Sequence, residues 1–446
     1  MRTLVLVDGE HHPPVTRAAL DLARQRGHEI VAALLVGGIE KIGSGDEPPD
    51  LGVGELDVVR ADPMRALTEA IERHRPDVVL DLSDEPVLGY RERFELAAVA
   101  LVAGVPYVGA DFRLEPPPAD PPPAGVPTLA VIGTGKRTGK TAIAGAVARL
   151  AARRGSAPVI VAMGRGGPPA PTVAPAGSVD LDHLRSLVAA GEHAASDYLE
   201  DAVTTGVTTV GARRAGGGLA GAPYASNVGE AVEVATSLDP GLLILEGSGA
   251  AIPPFAWDAG ILVLPATVPA EYLGGYLGPY RLLRSDLAIA TMWSGPTGPE
   301  DLSTLRSHVR RYLDDTSFIA TDFVPVPLAD VRGKEAFFAT TAPPSVVERL
   351  IRRLEADHGC TVVGWSARLA DRAGLAEDLD AVQGYDVLLT ELKASAVDTG
   401  AAAALERGAE VVFVDNRAEV TDGSEDLDTA LGGVIDVAVE RAGTRR

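Results

Sequence analysis

The run Thr128–Thr141, TLAVIGTGKRTGKT, carries the residues best suited to hold phosphate. Leu129–Ile132 is a short apolar run that predicts a buried strand, and Ala142–Arg154 predicts a helix. Between them, Gly133, Thr134, Gly135, Lys136, Arg137, Thr138, Gly139, Lys140 and Thr141 form a glycine-punctuated loop. Glycines let successive backbone N–H groups turn toward one centre, and the dipole of the following helix adds positive potential. Strand, glycine-rich loop, Lys-Thr and helix is the layout of a P-loop. Lys140 is expected to reach the β- and γ-phosphates of a nucleotide, and Thr141 to offer its hydroxyl to Mg²⁺. One position departs from the usual spacing. A glycine is wanted five residues before Gly139; Thr134 stands there, and Gly133 lies one place earlier.

A P-loop also needs a carboxylate at the end of a neighbouring strand. Leu242-Leu243-Ile244-Leu245-Glu246 is the best candidate, four apolar residues and then an acid, with Gly247 and Gly249 leaving room beside it. Glu246 and Thr141 are therefore the expected metal ligands. Lysine usage narrows the cations. Of 40 Lys and Arg, the lysines are Lys41, Lys136, Lys140, Lys334 and Lys393, so two of them lie in the loop. Arg165 follows Gly164 in a glycine-rich turn, and Arg213-Arg214 precede Gly216-Gly217-Gly218. Arg332 and Lys334 precede a strand, and Lys393 follows one. Lys136, Lys140, Arg165 and Glu246 are the expected catalytic residues. Arg165, Arg213, Arg214, Arg332, Lys334 and Lys393 are the expected substrate cations, since guanidinium grips phosphate bidentately. His193, Asp197, Glu200 and Asp201 share a face of one predicted helix, read as solvated or salt-bridged, with an acid/base cluster as the alternative. His11-His12 read as a structural turn, with anion binding as the alternative.

These residues need a scaffold of parallel strands. Residues 1–114 alternate strand and helix, which predicts a Rossmann-like α/β domain. Residues 115–127 hold two proline triplets, Pro116–Pro118 and Pro121–Pro123, and predict a stiff extended linker. Residues 128–326 are the expected P-loop NTPase domain with a mostly parallel sheet. Residues 327–446 are the expected C-terminal α/β domain, with strands at Ala336–Thr340, Val362–Trp365, Val387–Thr390 and Val411–Val414.

Bulk properties exclude whole classes. The net charge of −22 argues against nucleic acid and against anionic membrane surfaces as partners. A polyanionic substrate must then be drawn in by a local basic cluster. Cys360 is the single cysteine, which excludes a disulfide framework and fits a reducing cytoplasm. No apolar run reaches the ~18 residues of a membrane span. The histidines lack metal-ligand spacing, and no G-x-S-x-G elbow supports hydrolytic chemistry. No guanine-specifying N-K-x-D follows Leu287–Met292, so ATP is the expected nucleotide.

With these motifs in hand, the chain resembles a family. GTGKRTGKT (133–141) with EGSG (246–249) is similar to the dethiobiotin-synthetase branch of P-loop enzymes. Adding VAMGRGGPP (161–169), ASDYLEDA (195–202), GARRAGGGLAG (211–221) and TELKASAVD (390–398), it resembles cyclic 2,3-diphosphoglycerate synthetase more closely, over nearly its whole length. The resemblance implies an ATP- and Mg²⁺-dependent ligase. It would close an intramolecular phosphoanhydride in 2,3-diphosphoglycerate, a small anionic substrate, releasing ADP and phosphate. A homodimer and a third domain that closes over the P-loop are further expectations. The alternatives are a cyclo-ligase or kinase acting on another small anionic acid, or a partner-dependent ATPase switch.

Overall fold

The computed structural model describes residues 1–38, 40–41, 50–59, 62–266, 269, 271–293, 302–313, 317–423 and 425–445. The chain divides into two units, Met1–Pro118 with Pro269–Arg284, and Ala119–Val268 with Ser285–Arg446.

The first unit is a Rossmann-like sheet. Its strands are β1 (Arg2–Val7), β2 (Glu29–Leu35), β3 (Leu56–Val58), β4 (Val78–Asp81), β5 (Tyr107–Val108) and β6 (Arg113–Leu114). Their order is β3-β2-β1-β4-β5-β6, parallel except for the β5–β6 pair. Helices α1 (Pro13–Gln25), α2 (Pro63–His74) and α3 (Tyr90–Val102) connect them. Asp62 starts α2 by accepting from the N–H groups of Met64 and Arg65. Segment Pro269–Arg284, within the span expected to be the P-loop domain, belongs to this unit. Its helix Gly278–Leu283 packs on α3.

In the second unit, among the described residues, thirteen strands form one sheet. They are β7 (Thr128–Gly133), β8 (Pro158–Gly164), β9 (Thr172–Ala174), β10 (Thr208–Ala215), β11 (Ala225–Ser226), β12 (Leu242–Glu246), β13 (Ala259–Pro265), β14 (Leu287–Thr291), β15 (Phe318–Pro327), β16 (Glu335–Ala339), β17 (Thr361–Ser366), β18 (Val387–Thr390) and β19 (Glu410–Asp422). The order is β11-β10-β8-β12-β7-β13-β14-β15-β19-β18-β16-β17, with β9 on β10. Every residue of β7, β8, β12 and β14 is buried, as their unbroken apolar runs require of central parallel strands. Helices α4 (Lys140–Arg153), α5 (Leu181–Ala189) and α6 (Asp197–Thr205) belong to this half.

The sheet has two halves of opposite direction, parallel apart from β9 and β11, which run antiparallel to β10, and joined by the antiparallel pair β15–β19. Phe318–Thr321 of β15 pairs with β14, while its Ala320–Pro327 pairs with β19. Glu410–Phe413 of β19 then pairs with β18. The carboxyl ends of the strands in the two halves therefore face each other along these two long strands. The sequence pattern did not reveal this join. Val411–Val414 was expected as a short strand, whereas β19 continues to Asp422 because Arg417, Glu419 and Thr421 alternate with Ala418 and Val420. Helix Leu427–Thr444, within the expected C-terminal domain, instead packs Leu431, Val434, Ile435 and Ala438 into the P-loop core with Leu129, Ile143 and Val147.

Candidate active site

The strand β7 delivers the loop, and α4 opens at Lys140. Gly139 adopts φ +93°, and a β-carbon there would lie 2.2 Å from the ring of Phe323 on β15. A side chain is thus excluded twice, by backbone and by neighbour. Gly133 answers the irregular spacing. A β-carbon on it would meet Thr138 Oγ1 at 2.8 Å and the Lys140 stem at 3.0 Å, so the lysine folds over a glycine at the strand end. Lys140 Nζ donates to Gly135 O at 2.9 Å and Thr138 Oγ1 at 3.3 Å, pointing into the loop. Thr138 is anchored in turn, its carbonyl accepting from Thr291 Oγ1 at 2.7 Å. Burial lowers the Lys140 pKa to about 8; Glu246 and Asp197 oppose the shift, and Arg165 and Arg214 add to it. Bound phosphates would reverse it.

Beside the loop stands the expected acid. Thr141 Oγ1 donates to Glu246 Oε1 at 2.7 Å, joining the two expected metal ligands. Burial, with repulsion from Asp197, pushes the Glu246 carboxyl up to about 7. Helix α6 brings further acids. Asp197, Glu200 and Asp201 turn toward this corner, so the face is not solvated; the salt-bridged part of the reading holds for Glu200, which pairs with Lys393 at 3.1 Å. The reason is that buried Leu199 and Ala202 flank Asp201, which puts the acids on the packed side of the helix. His193 lies before α6, exposed, against Gly166. Asp201 is fully buried against Glu246, and burial with that neighbour holds its carboxyl well above the usual range. Burial also raises Asp197, against the pull of Lys140, Lys393, His193 and Arg165. An orphaned oxygen, Glu246 Oε2, is buried at the corner, as are both oxygens of Asp201. A hard divalent cation fits such a donor set, since Mg²⁺ takes one or two carboxylates plus phosphate and water oxygens. Among the described residues no three His, Cys, Asp or Glu could form a complete cage, so such an ion would rely on phosphate.

Two guanidinium groups complete the rim. A β-carbon at Gly249 would lie 2.6 Å from Arg165 Nη2 and 3.2 Å from Arg214 Nη2. Arg214 is held by Ser248 O and Gly216 O, each at 2.7 Å. Burial and the neighbouring Arg165 lower its pKa. Among the described residues Arg165 has no ion pair. Lys140, Arg165 and Arg214 thus converge where the charge is otherwise acidic.

The remaining expected residues separate. Lys136, Arg137 and Arg213 are exposed, and Arg213 alternates away from Arg214 along β10. Arg332 and Lys334 precede β16, at the end of the C-terminal half remote from the P-loop, and Lys334 pairs with Glu410 at 2.6 Å. They do not join the site, because the half-sheet is reversed. Lys393 does approach it, after β18. Its ammonium lies 3.1 Å from Glu200 and 4.0 Å from Glu391, and these acids raise its pKa although burial opposes them. Burial raises Glu200 to about 7 despite the ammonium beside it. Burial alone would also raise Glu391, but Lys393 and hydrogen bonds from Thr341, Thr340 and Asn416 keep its carboxyl below the usual value. In the other unit His11 Nδ1 donates to buried Asp8 at 2.8 Å. A cavity of about 280 Å³ beside Tyr385 and Arg407 opens near the amino end of β18, away from this chemistry.

Comparison with known proteins agrees with the motifs. Family models of cyclic 2,3-diphosphoglycerate synthetase match in three parts: the N-terminal domain over residues 2–115, the P-loop domain over 128–321 and the C-terminal domain over 327–417. The chain belongs to the cyclic 2,3-diphosphoglycerate synthetase family. A synthetase of that name from Rubrobacter xylanophilus is 48% identical over 431 residues, 95% of this chain and 96% of its own length. Another from Methanothermobacter thermautotrophicus is 39% identical over 447 residues, 98% of this chain and 96% of its own. A third, from Methanothermus fervidus, is 37% identical over 451 residues, covering 98% of each. Among solved structures, ATP-bound LpxK from Aquifex aeolicus aligns with a TM-score of 0.40 at 14% identity, over 71% of this chain and 90% of its own. No helix among the described residues is long and apolar enough to cross a membrane.

Proposed function

We infer that the protein is an ATP-dependent ligase that closes the phosphoanhydride ring of cyclic 2,3-diphosphoglycerate. One observation carries this beyond the family: Arg165 and Arg214 meet over Gly249, within electrostatic reach of Lys140. A P-loop alone serves one triphosphate. Two further guanidinium groups on its rim suit a substrate that is itself a double phosphate.

In this reading the loop and Lys140 hold ATP, while Arg165 and Arg214 hold the substrate phosphates. A substrate phosphate oxygen attacks the γ-phosphorus and ADP leaves. The second substrate phosphate then attacks the phosphorus of the first, forming the internal P–O–P bond and expelling orthophosphate. Both nucleophiles are already ionised, so neither step needs a base. Mg²⁺, held by Thr141 and Glu246, would neutralise charge on the nucleotide phosphates. We assign Lys393 to hold Glu200 and Glu391 beside the site rather than to bind phosphate. Exposed Lys136 and Arg213 remain candidates for outer contacts with the substrate.

The test is incubation of the purified protein with ATP, Mg²⁺ and 2,3-diphosphoglycerate, followed by ³¹P NMR. The cyclic anhydride, ADP and orthophosphate should appear together, and Arg165→Met and Arg214→Met should raise the diphosphoglycerate KM. ATP consumption indifferent to diphosphoglycerate would overturn the reading in favour of a partner-dependent ATPase.

A further inference from the structure

The first unit carries chemistry that the scheme above leaves unused. Strands β1 and β4 lie side by side and parallel, Thr3–Leu6 against Val78–Asp81. From β1 the chain moves outward to β2, and from β4 it moves the opposite way to β5. Right-handed connections then place α1 and α3 on opposite faces, so a crevice opens between the loops after β1 and β4. Asp8, just past β1, and Asp81, at the end of β4, are both buried there, and each seats one cation. Asp8 accepts from His11 Nδ1 at 2.8 Å, which fixes the ring and leaves Nε2 as its free edge. Asp81 Oδ2 lies 3.3 Å from Arg93 Nε, and Arg93 Nη2 donates to Ser83 O at 2.8 Å. One hydrogen bond joins the two seats across the gap: Asp84 N, next to Ser83, donates to Asp8 Oδ2 at 2.7 Å. Among the described residues His11 Nε2 and Arg93 Nη1 have no partner. The nearby acids turn aside: Asp84 Oδ1 accepts from Glu85 N at 2.8 Å, and Glu10 leans over Gly38. Tethering these loops needs only an acceptor, which an asparagine supplies. Burying a carboxylate costs more, and the cation it seats is what that cost provides.

We propose that this crevice is a second anion site, built wholly from the first unit, in which His11 and Arg93 together bind the phosphate of a small phosphate monoester. Such a phosphate accepts from a guanidinium N–H and an imidazolium N–H at once, and its own charge favours the imidazolium. In a chain of net charge −22, two seated cations at one crevice are the local basic cluster that an anionic ligand needs. Asp8 and Asp81 position the two donors and do not touch the ligand. The site takes no part in the ring closure assigned to the P-loop and does not depend on that reading.

The probe is 2,3-diphosphoglycerate. The full-length protein carries Arg165→Met and Arg214→Met to weaken the P-loop rim, is labelled with ¹⁵N in its histidine rings, and is titrated without nucleotide or Mg²⁺. The His11 ring signals, identified by their absence from His11→Gln, should shift along a saturating curve, and inorganic phosphate should compete. Adding Arg93→Met should weaken binding at least about tenfold, the loss of one hydrogen bond between charged groups. His11→Gln keeps a donor for Asp8, so the loop stays tethered, and it should weaken binding comparably in equilibrium dialysis. That variant decides the matter if Arg93→Met does not fold. His11 signals that stay in place overturn the proposal, as does an affinity unchanged by His11→Gln or by a folded Arg93→Met. Inorganic phosphate that fails to compete also overturns it.

Discussion

Lys140 does two jobs with one side chain: its stem covers Gly133 and its ammonium fills the loop. Lys140→Ala should therefore abolish a contact that strengthens as phosphoryl charge develops, costing about 3 kcal/mol, on the order of a hundredfold in kcat. Steady-state turnover near the wild-type value would refute this. The buried acids make a second prediction. Glu246 and Glu200 titrate at about 7 in the folded protein, against ~4.3 in an unfolded chain. The folded state binds these protons more tightly, so this stabilisation is complete below the unfolded pKa and is lost as pH rises through the folded one. Without metal or nucleotide, the melting temperature should fall between about pH 5 and about pH 7.5, and Glu246→Gln should reduce the slope. A flat wild-type profile would count against the burial described. Lys140, Thr141 and Glu246 were legible because loop spacing and an apolar strand ending in an acid are local signals. Asp197 and Asp201 were not. Spacing gave their common face, but only packing decides whether that face looks outward.

Among the elements, β15 and β19 position more than they bind. Phe323 of β15 seals the back of Gly139, so the loop's shape depends on a strand far away in sequence. Gly139→Ala should weaken nucleotide binding at least about tenfold, combining ~1 kcal/mol of left-handed backbone strain with displacement of the Phe323 ring. Adding Phe323→Ala should recover part of that loss, measured by isothermal titration with ADP, because it relieves the contact but not the strain. No recovery would mean that the backbone alone dictates Gly139. Strand β10 offers a cleaner contrast. Arg213 and Arg214 are adjacent, yet successive strand residues face opposite ways. Expecting both as substrate cations takes no account of this alternation; Arg214→Met should raise the KM for diphosphoglycerate much more than Arg213→Met. The P-loop half was largely readable from apolar runs. The long antiparallel join was not, because Thr321 and Asp322 interrupt the apolar run of β15, and the far part of β19, where exposed and half-buried residues alternate, carries only a weak apolar signal.

At the scale of the second unit, the chain leaves the P-loop half by β15, builds the reversed half, and returns by β19 to finish the first half with helix Leu427–Thr444. That route explains why Arg332 and Lys334 fall at the remote end while Lys393 reaches the site. Lys334→Met should leave both KM values unchanged. Lys393→Met should lower kcat with ATP binding nearly intact; lost ATP binding in calorimetry would contradict the role assigned here. The same route bears on synthesis at the ribosome. Leu129, Ile143 and Val147 emerge early, but Leu431, Val434, Ile435 and Ala438, which cover them, are made only after the entire reversed half. The catalytic half cannot mature in order of translation. It must wait, partly uncovered, for a late segment to arrive, a state in which exposed apolar surface invites chaperones and aggregation.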